Sequence, residues 1–160
     1  MVISTMCNPV RGRGFTLIEL IVTLSVFGIL TALAVPSFSS LVAASRVREA
    51  GSDLLESVFL ARSEAVKRAT NVDVVPTSGN WQNGWTVQTG TTVLQSRAAV
   101  SGATTITPNA GGNITFQLSG RVSTPIRTLT VSAVESSSTR CISIDASGRA
   151  SIRLSGSGCS

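Results

Sequence analysis

The sequence predicts an α+β fold: one long N-terminal helix, transmembrane in its first half, packed on an antiparallel, β-rich globular head. Three observations predict it. Residues 15–35 form an apolar run broken by a single charge, Glu19. Apolar residues then recur at three- and four-residue steps as far as Ala65. After Asn71 the apolar period falls to two, and turn residues punctuate the chain. A period near 3.6 marks one face of a helix, and a period of two marks one face of a strand. These changes divide the chain into a basic leader (1–14), an apolar helix (15–36), an amphipathic helix packing under the head (37–70) and the head itself (71–160).

The leader ends in Arg11-Gly12-Arg13-Gly14. The apolar run that follows spans about 31 Å as a helix, enough for a bilayer core. Arg11 and Arg13 hold the leader on the cytoplasmic side, which puts everything after the span outside. A carboxylate such as Glu19 costs about 2–3 kcal/mol inside a membrane unless it is paired or close to the interface. Gly28 and Pro36 weaken the helix, Pro36 by removing a backbone hydrogen bond, and a bend is expected there.

Beyond Pro36, Val47, Ala50, Leu54, Val58, Ala61 and Ala65 share one helical face. Charged residues sit mostly elsewhere, and Glu64 with Arg68 makes an i,i+4 pair. One helix from about 16 to 69 follows, its apolar stripe needing a sheet to cover it. Eight short strands are expected at 72–75, 85–88, 92–95, 104–107, 114–118, 128–133, 140–144 and 150–154. Pro76–Gly79, Asn83-Gly84, Asn109–Gly112, Ser119-Gly120 and Asp145–Gly148 supply turns between them. Strands that are neighbours in sequence are expected to pair antiparallel.

Composition excludes most chemistry. The chain has no His and no Tyr, and charged residues are 13% of it. Only Asp73, Glu135 and Asp145 supply carboxylates after residue 71, so no general acid–base set exists there and the protein is read as a non-enzyme without catalytic residues. Ser63 and Lys67 have helical spacing but belong to the outer side of the long helix. With no imidazole and few carboxylates, the two C-terminal thiols cannot supply the four ligands of a metal site, and no cofactor motif is present. Trp81 and Trp85 flank a turn, where they suit packing over the core better than stacking on bases. The net charge is +5, and after residue 76 six arginines face two acids, a charge of +4. Such a head favours an anionic partner.

Gly14-Phe15-Thr16-Leu17-Ile18-Glu19, opening directly into the apolar run, resembles the prepilin peptidase site of type IV pilins and type II secretion pseudopilins. A secretory signal places its cleavage site after the apolar stretch, whereas this site lies before it. Residues 60–68, Trp81-Gln-Asn-Gly84-Trp85 and Phe116-Gln-Leu-Ser-Gly120-Arg121 narrow the resemblance to the GspH/FimT family of pilin-like proteins. The resemblance implies the pilin fold and cleavage after Gly14. It implies N-methylation of Phe15 and pairing of Glu19 with the N-terminal amine of a neighbouring subunit. It also implies prepilin peptidase, other pilins or pseudopilins and the inner membrane as partners. The chain would be single-pass with a periplasmic head, later part of a pilus or pseudopilus. A type IV pilus minor pilin and a GspH-like pseudopilin both fit.

Loss of the leader would remove Cys7 and leave Cys141 and Cys159, an even count that suits a bridge in an oxidising periplasm. FimT-type minor pilins carry a C-terminal Gly-Arg-x-Arg element associated with DNA binding. This chain keeps Gly148-Arg149 but has Ser151 in the second arginine position. Arg153 lies an even number of residues from Arg149, so both share a strand face and their reach suits phosphates. With Arg140 they are the candidates for sequence-independent binding of double-stranded DNA.

Overall fold

The computed structural model describes residues 14–123, 127–155 and 159, and the backbone alone of 33–37. The leader residues Arg11 and Arg13, the side chain of Pro36 and most of the Gly/Ser-rich tail lie outside the described residues. One helix, α1, runs Leu17–Arg68. Eight strands follow: β1 Val72–Pro76, β2 Trp85–Thr89, β3 Thr92–Arg97, β4 Thr104–Pro108, β5 Ile114–Phe116, β6 Arg127–Ala133, β7 Thr139–Ile144 and β8 Ala150–Ser155.

The chain divides into two compact units, Met1–Ser37 and Phe38–Ser160. In the first, Thr16 and Glu19 form a capping box at the helix start. The Glu19 N–H donates to Thr16 Oγ1 at 3.3 Å, and the Thr16 N–H donates to Glu19 Oε2 at 3.4 Å. This satisfies two of the donors that a helix N-terminus leaves open. Large apolar side chains from Phe15 to Leu30 are all at least 51% exposed. Among the described residues no helix is long and apolar enough to cross a membrane. The expected span 15–36 runs past Ala32 into 33–37, whose side chains lie outside the described residues.

The second unit carries the core. Val47, Ala50, Leu54, Val58, Ala61 and Ala65, the stripe expected on α1, are all 5% exposed or less. The helix stops at Ala69, which takes a left-handed turn (φ 51) while the Thr70 N–H returns to the Ala65 carbonyl.

Two four-stranded sheets cover the helix where one had been expected. Their orders are β3-β2-β1-β5 and β4-β6-β7-β8. Each inter-strand pairing is antiparallel. The expectation that sequence neighbours pair holds for β1–β2, β2–β3, β6–β7 and β7–β8. It fails at the crossover: β4 pairs β6, and β5 returns to β1. Arg127 braces the connection that makes this crossing. It is 6% exposed, and its guanidinium donates to the carbonyls of Ala110, Gly111 and Asn113 in the β4–β5 connection.

The Trp81–Trp85 segment is built for burial. Trp81 and Trp85 are 2% and 1% exposed, with ring centres 6.3 Å apart. Trp85 Nε1 donates to Ser57 Oγ at 2.9 Å, so its one polar atom is satisfied. Gly84 between them has φ 94 and passes so close to β3 that a Cβ would stand 2.3 Å from the Arg97 carbonyl. Neither ring is available to a nucleobase.

Candidate functional site

Two regions carry the candidate residues, and each lies within one compact unit. At the N-terminal end Gly14, Phe15 and Thr16 precede the helix, so the Gly14–Phe15 bond lies outside helical hydrogen bonding. Phe15 is 82% exposed. Gly14, Phe15, Thr16 and Glu19 line one open hollow of about 410 Å³. The carboxylate of Glu19 therefore stands beside the residue that cleavage would make N-terminal. Its capping role was readable from Thr16-Leu-Ile-Glu19, the Thr-x-x-Glu spacing that opens many helices.

Within the head, β7 and β8 form a hairpin closed by Asp145-Ala-Ser-Gly148. Gly148 has φ 78, and its N–H donates to the Asp145 carbonyl at 2.9 Å. A three-residue loop ending in a left-handed residue is a common hairpin closure. Asp145 Oδ1 accepts from the Ser147 hydroxyl at 2.6 Å and from the Arg149 N–H at 2.9 Å. The Ser147 hydroxyl, then the Arg149 N–H, hold the Asp145 carboxyl below the usual carboxylate range. Asp145 is thus an anion beside Arg149.

The hairpin separates the three candidate arginines. Cys141 lies opposite Arg153, and Ser143 lies opposite Ser151. Arg149 and Arg153 are exposed and fall on the same, outward face. Arg140 lies opposite Leu154 and alternates with the buried Ile142 and Ile144, which puts it on the inward face. Its Cβ lies 3.4 Å from where a Cβ on Gly51 of α1 would stand. Arg140 therefore does not extend the pair formed by Arg149 and Arg153.

Two more arginines leave the pool of free charge. Arg97 bridges to Glu56 at 2.8 Å and to Asp53 at 3.7 Å on α1. Arg127 is buried among carbonyls. The exposed cations of the β region are Arg121, Arg149 and Arg153.

Cys141 and Cys159 are joined by a disulfide, Cα atoms 5.5 Å apart. Among the described residues no cluster of three or more Cys, Asp or Glu side chains suits a metal ion. A cleft of about 360 Å³ between α1 and the β3–β4 connection is lined by Arg46, Glu49, Asp53, Trp85 and Arg97. Its charges balance, and it holds no nucleophile beside a base.

With this geometry in place, the comparisons with known proteins are decisive for the family. A family model described as Type II transport protein GspH matches residues 50–148. The chain belongs to the GspH family. A second model, the prokaryotic N-terminal methylation motif, matches residues 11–35 and so covers Gly14, Phe15 and Glu19. Two crystal forms of the type IV minor pilin FimU from Pseudomonas aeruginosa share the fold. The first has a TM-score of 0.64 at 20% identity and covers 72% of this chain and 93% of FimU. The second has a TM-score of 0.58 at 21% identity and covers 70% and 96%. The Type IV major pilin protein PilA of Myxococcus xanthus is 37% identical over 79 residues, 46% of this chain and 36% of PilA. A Fimbrial protein of Pseudomonas aeruginosa is 37% identical over 67 residues, 38% of this chain and 44% of that protein. The match thus spans less than half the length of PilA and of this Fimbrial protein. It is a type IV pilin-like GspH family protein with the pilin fold, a long helix packed on an antiparallel head.

Proposed function

We propose that this GspH family protein is a minor pilin of a type IV pilus. Prepilin peptidase cuts it after Gly14, and Phe15 is then N-methylated. Residues 15–36 hold it in the inner membrane as a single pass with the head in the periplasm. It then joins or primes the filament, Glu19 pairing with the terminal amine of a neighbour. The observation that carries this reading is the apolar helix face from Phe15 to Leu30, more than half exposed throughout and opened by one carboxylate. Such a face needs lipid or other helices around it. The likeness to pilins named for the pilus supports the machine. The family's description as a type II transport protein favours a second reading, a pseudopilin of type II secretion.

The head also binds double-stranded DNA without sequence preference, through Arg149 and Arg153. Support comes from their exposure on one face and the scarcity of acids around them. Among the described residues nothing reads base edges, so binding rests on phosphate neutralisation and falls steeply with salt.

Intact mass of the membrane-extracted chain tests processing: residues 15–160 plus one methyl group are expected. Retention of residues 1–14 in cells with active prepilin peptidase overturns it. Pili sheared from the cell should contain the chain. Its absence from pili, joined to loss of type II secretion on deletion, moves it to the second reading.

A further inference from the structure

The outward face of the β4-β6-β7-β8 sheet has a composition that the arginines alone do not explain. Exposed antiparallel faces usually mix acids with bases. Here the outward positions of all four strands are Ser or Thr, with two exceptions, Cys141 and Arg153. No carboxylate lies among them. One row across the sheet reads Thr107, Thr130, Cys141, Arg153, and the next reads Thr128, Ser143, Ser151. Where the rows meet β8, a shallow hollow of about 150 Å³ opens. Thr128, Ser143, Arg153, Leu154 and Ser155 line it, with the Cys141–Cys159 bridge alongside. Among the described residues the side chains of Thr128, Ser143 and Arg153 have no hydrogen bond or ion pair within the chain.

We infer that this hollow seats one backbone phosphate of the bound nucleic acid, with Arg153 as its cation and Thr128 and Ser143 as hydroxyl donors. The inference rests on the DNA-binding reading above. Charge-assisted hydrogen bonds from a guanidinium and hydroxyls are the usual way to hold a phosphate oxygen. The strand supplies the pitch. Arg149, Ser151 and Arg153 project outward about 7 Å apart, close to the step between successive phosphates on one strand. The three therefore follow a backbone, and the hollow fixes its register at Arg153. A neutral polysaccharide fits less well, because the face carries a cation and has no aromatic platform, both tryptophans being buried. The seat also gives the serine in the second position of the Gly-Arg-x-Arg pattern a role, as a donor between two cations.

Hydroxyls and arginines differ in what they do to salt dependence, and this makes the test specific. The full chain in zwitterionic detergent micelles is titrated against fluorescein-labelled duplex DNA, with anisotropy read across a range of salt. Thr128→Val/Ser143→Ala should weaken binding about tenfold. The slope of log affinity against log salt should stay as in wild type, since lost hydroxyls release no counterions. Arg153→Ala should weaken binding and flatten that slope by about one. Thr105→Val, on the same face but at the far edge strand, should change neither. Wild type that does not bind at low salt overturns the DNA-binding reading itself. Wild type that binds, with the hydroxyl pair variant equal to it and an unchanged melting midpoint, overturns the phosphate seat alone. Displacement of the DNA by neutral dextran overturns the seat in favour of a polysaccharide site.

Discussion

Replacing Gly148 by alanine places a methyl group against a neighbouring turn. Gly148 has φ 78, a region that L side chains resist, at about 1–2 kcal/mol. A Cβ built there would stand 2.0 Å from the Gly120 carbonyl oxygen and 3.3 Å from the Phe116 ring. The Gly120 turn has little room to retreat, since its own Cβ would lie 3.0 Å from Val66 of α1. Overpacking of this kind costs a further 1–3 kcal/mol or so. The sum is about 2–5 kcal/mol, or a fall of roughly 10–20 °C in the melting midpoint for a head of this size. Gly90→Ala is the matched control: φ is 55, but nothing lies within 4 Å. It should lose about 1 kcal/mol, the strain less the entropy removed from the unfolded chain. Far-UV circular dichroism of the full chain through heating measures both. If Gly148→Ala loses no more than Gly90→Ala, the packing of the hairpin turn on Gly120 contributes nothing and the reasoning fails.

Glu19→Ala should leave membrane insertion intact and cut incorporation into filaments; equal recovery of mutant and wild type in sheared pili rejects the pairing role. Cys141→Ser should lower stability by about 3 kcal/mol, given the separation of 18 residues, and non-reduced protein should resist alkylation at Cys141 and Cys159. Two carboxyls have lowered pKa values in the folded chain: Glu64, through its hydrogen bond to Arg68 and the charge of Lys67, and Asp145, through Ser147 and the Arg149 N–H. A lowered folded value contributes stability above the unfolded pKa and loses it as pH falls through the folded one. The melting midpoint should therefore hold from pH 7 to about 5 and drop below about 4; a rise on acidification contradicts this. Asp145→Asn should tighten DNA binding at low salt by removing the anion beside Arg149, and anisotropy titration measures it.

Local pattern carried most of this fold. The stripe from Val47 to Ala65 named the buried face of α1, and all eight strands fell where alternation and turn residues put them. Pairing followed for four neighbouring pairs but not for β4 and β5, because alternation fixes which side of a strand is apolar but not which strand lies beside it. The move of β4 to β6 and β5 to β1 goes with contacts between separate elements, such as Arg127 with the carbonyls of Ala110, Gly111 and Asn113, which no local pattern announces. Parity held more than was taken from it. The step of two that joins Arg149 to Arg153 also places Arg140 with Ile142 and Ile144, and Arg127 with Leu129 and Val131, on the buried side. The pairing of Arg97 with Asp53 and Glu56 had no local signal, since it links residues about forty positions apart.

The approach of Ile152 and Arg140 to Gly51 has a kinetic consequence. Gly51 lies mid-helix, and Ile152 would touch a Cβ there at 3.1 Å, roughly a hundred positions further along the chain. The helix leaves the ribosome early, while the strand that covers this turn of it leaves far later. Contacts of such separation form slowly and reward the chain only once the intervening loop has closed. Until then the apolar stripe of α1 lacks this part of its cover and must be shielded from other newly made chains. Anchoring through the first unit would keep such half-finished heads apart during that interval, so membrane tethering would serve folding before it serves assembly.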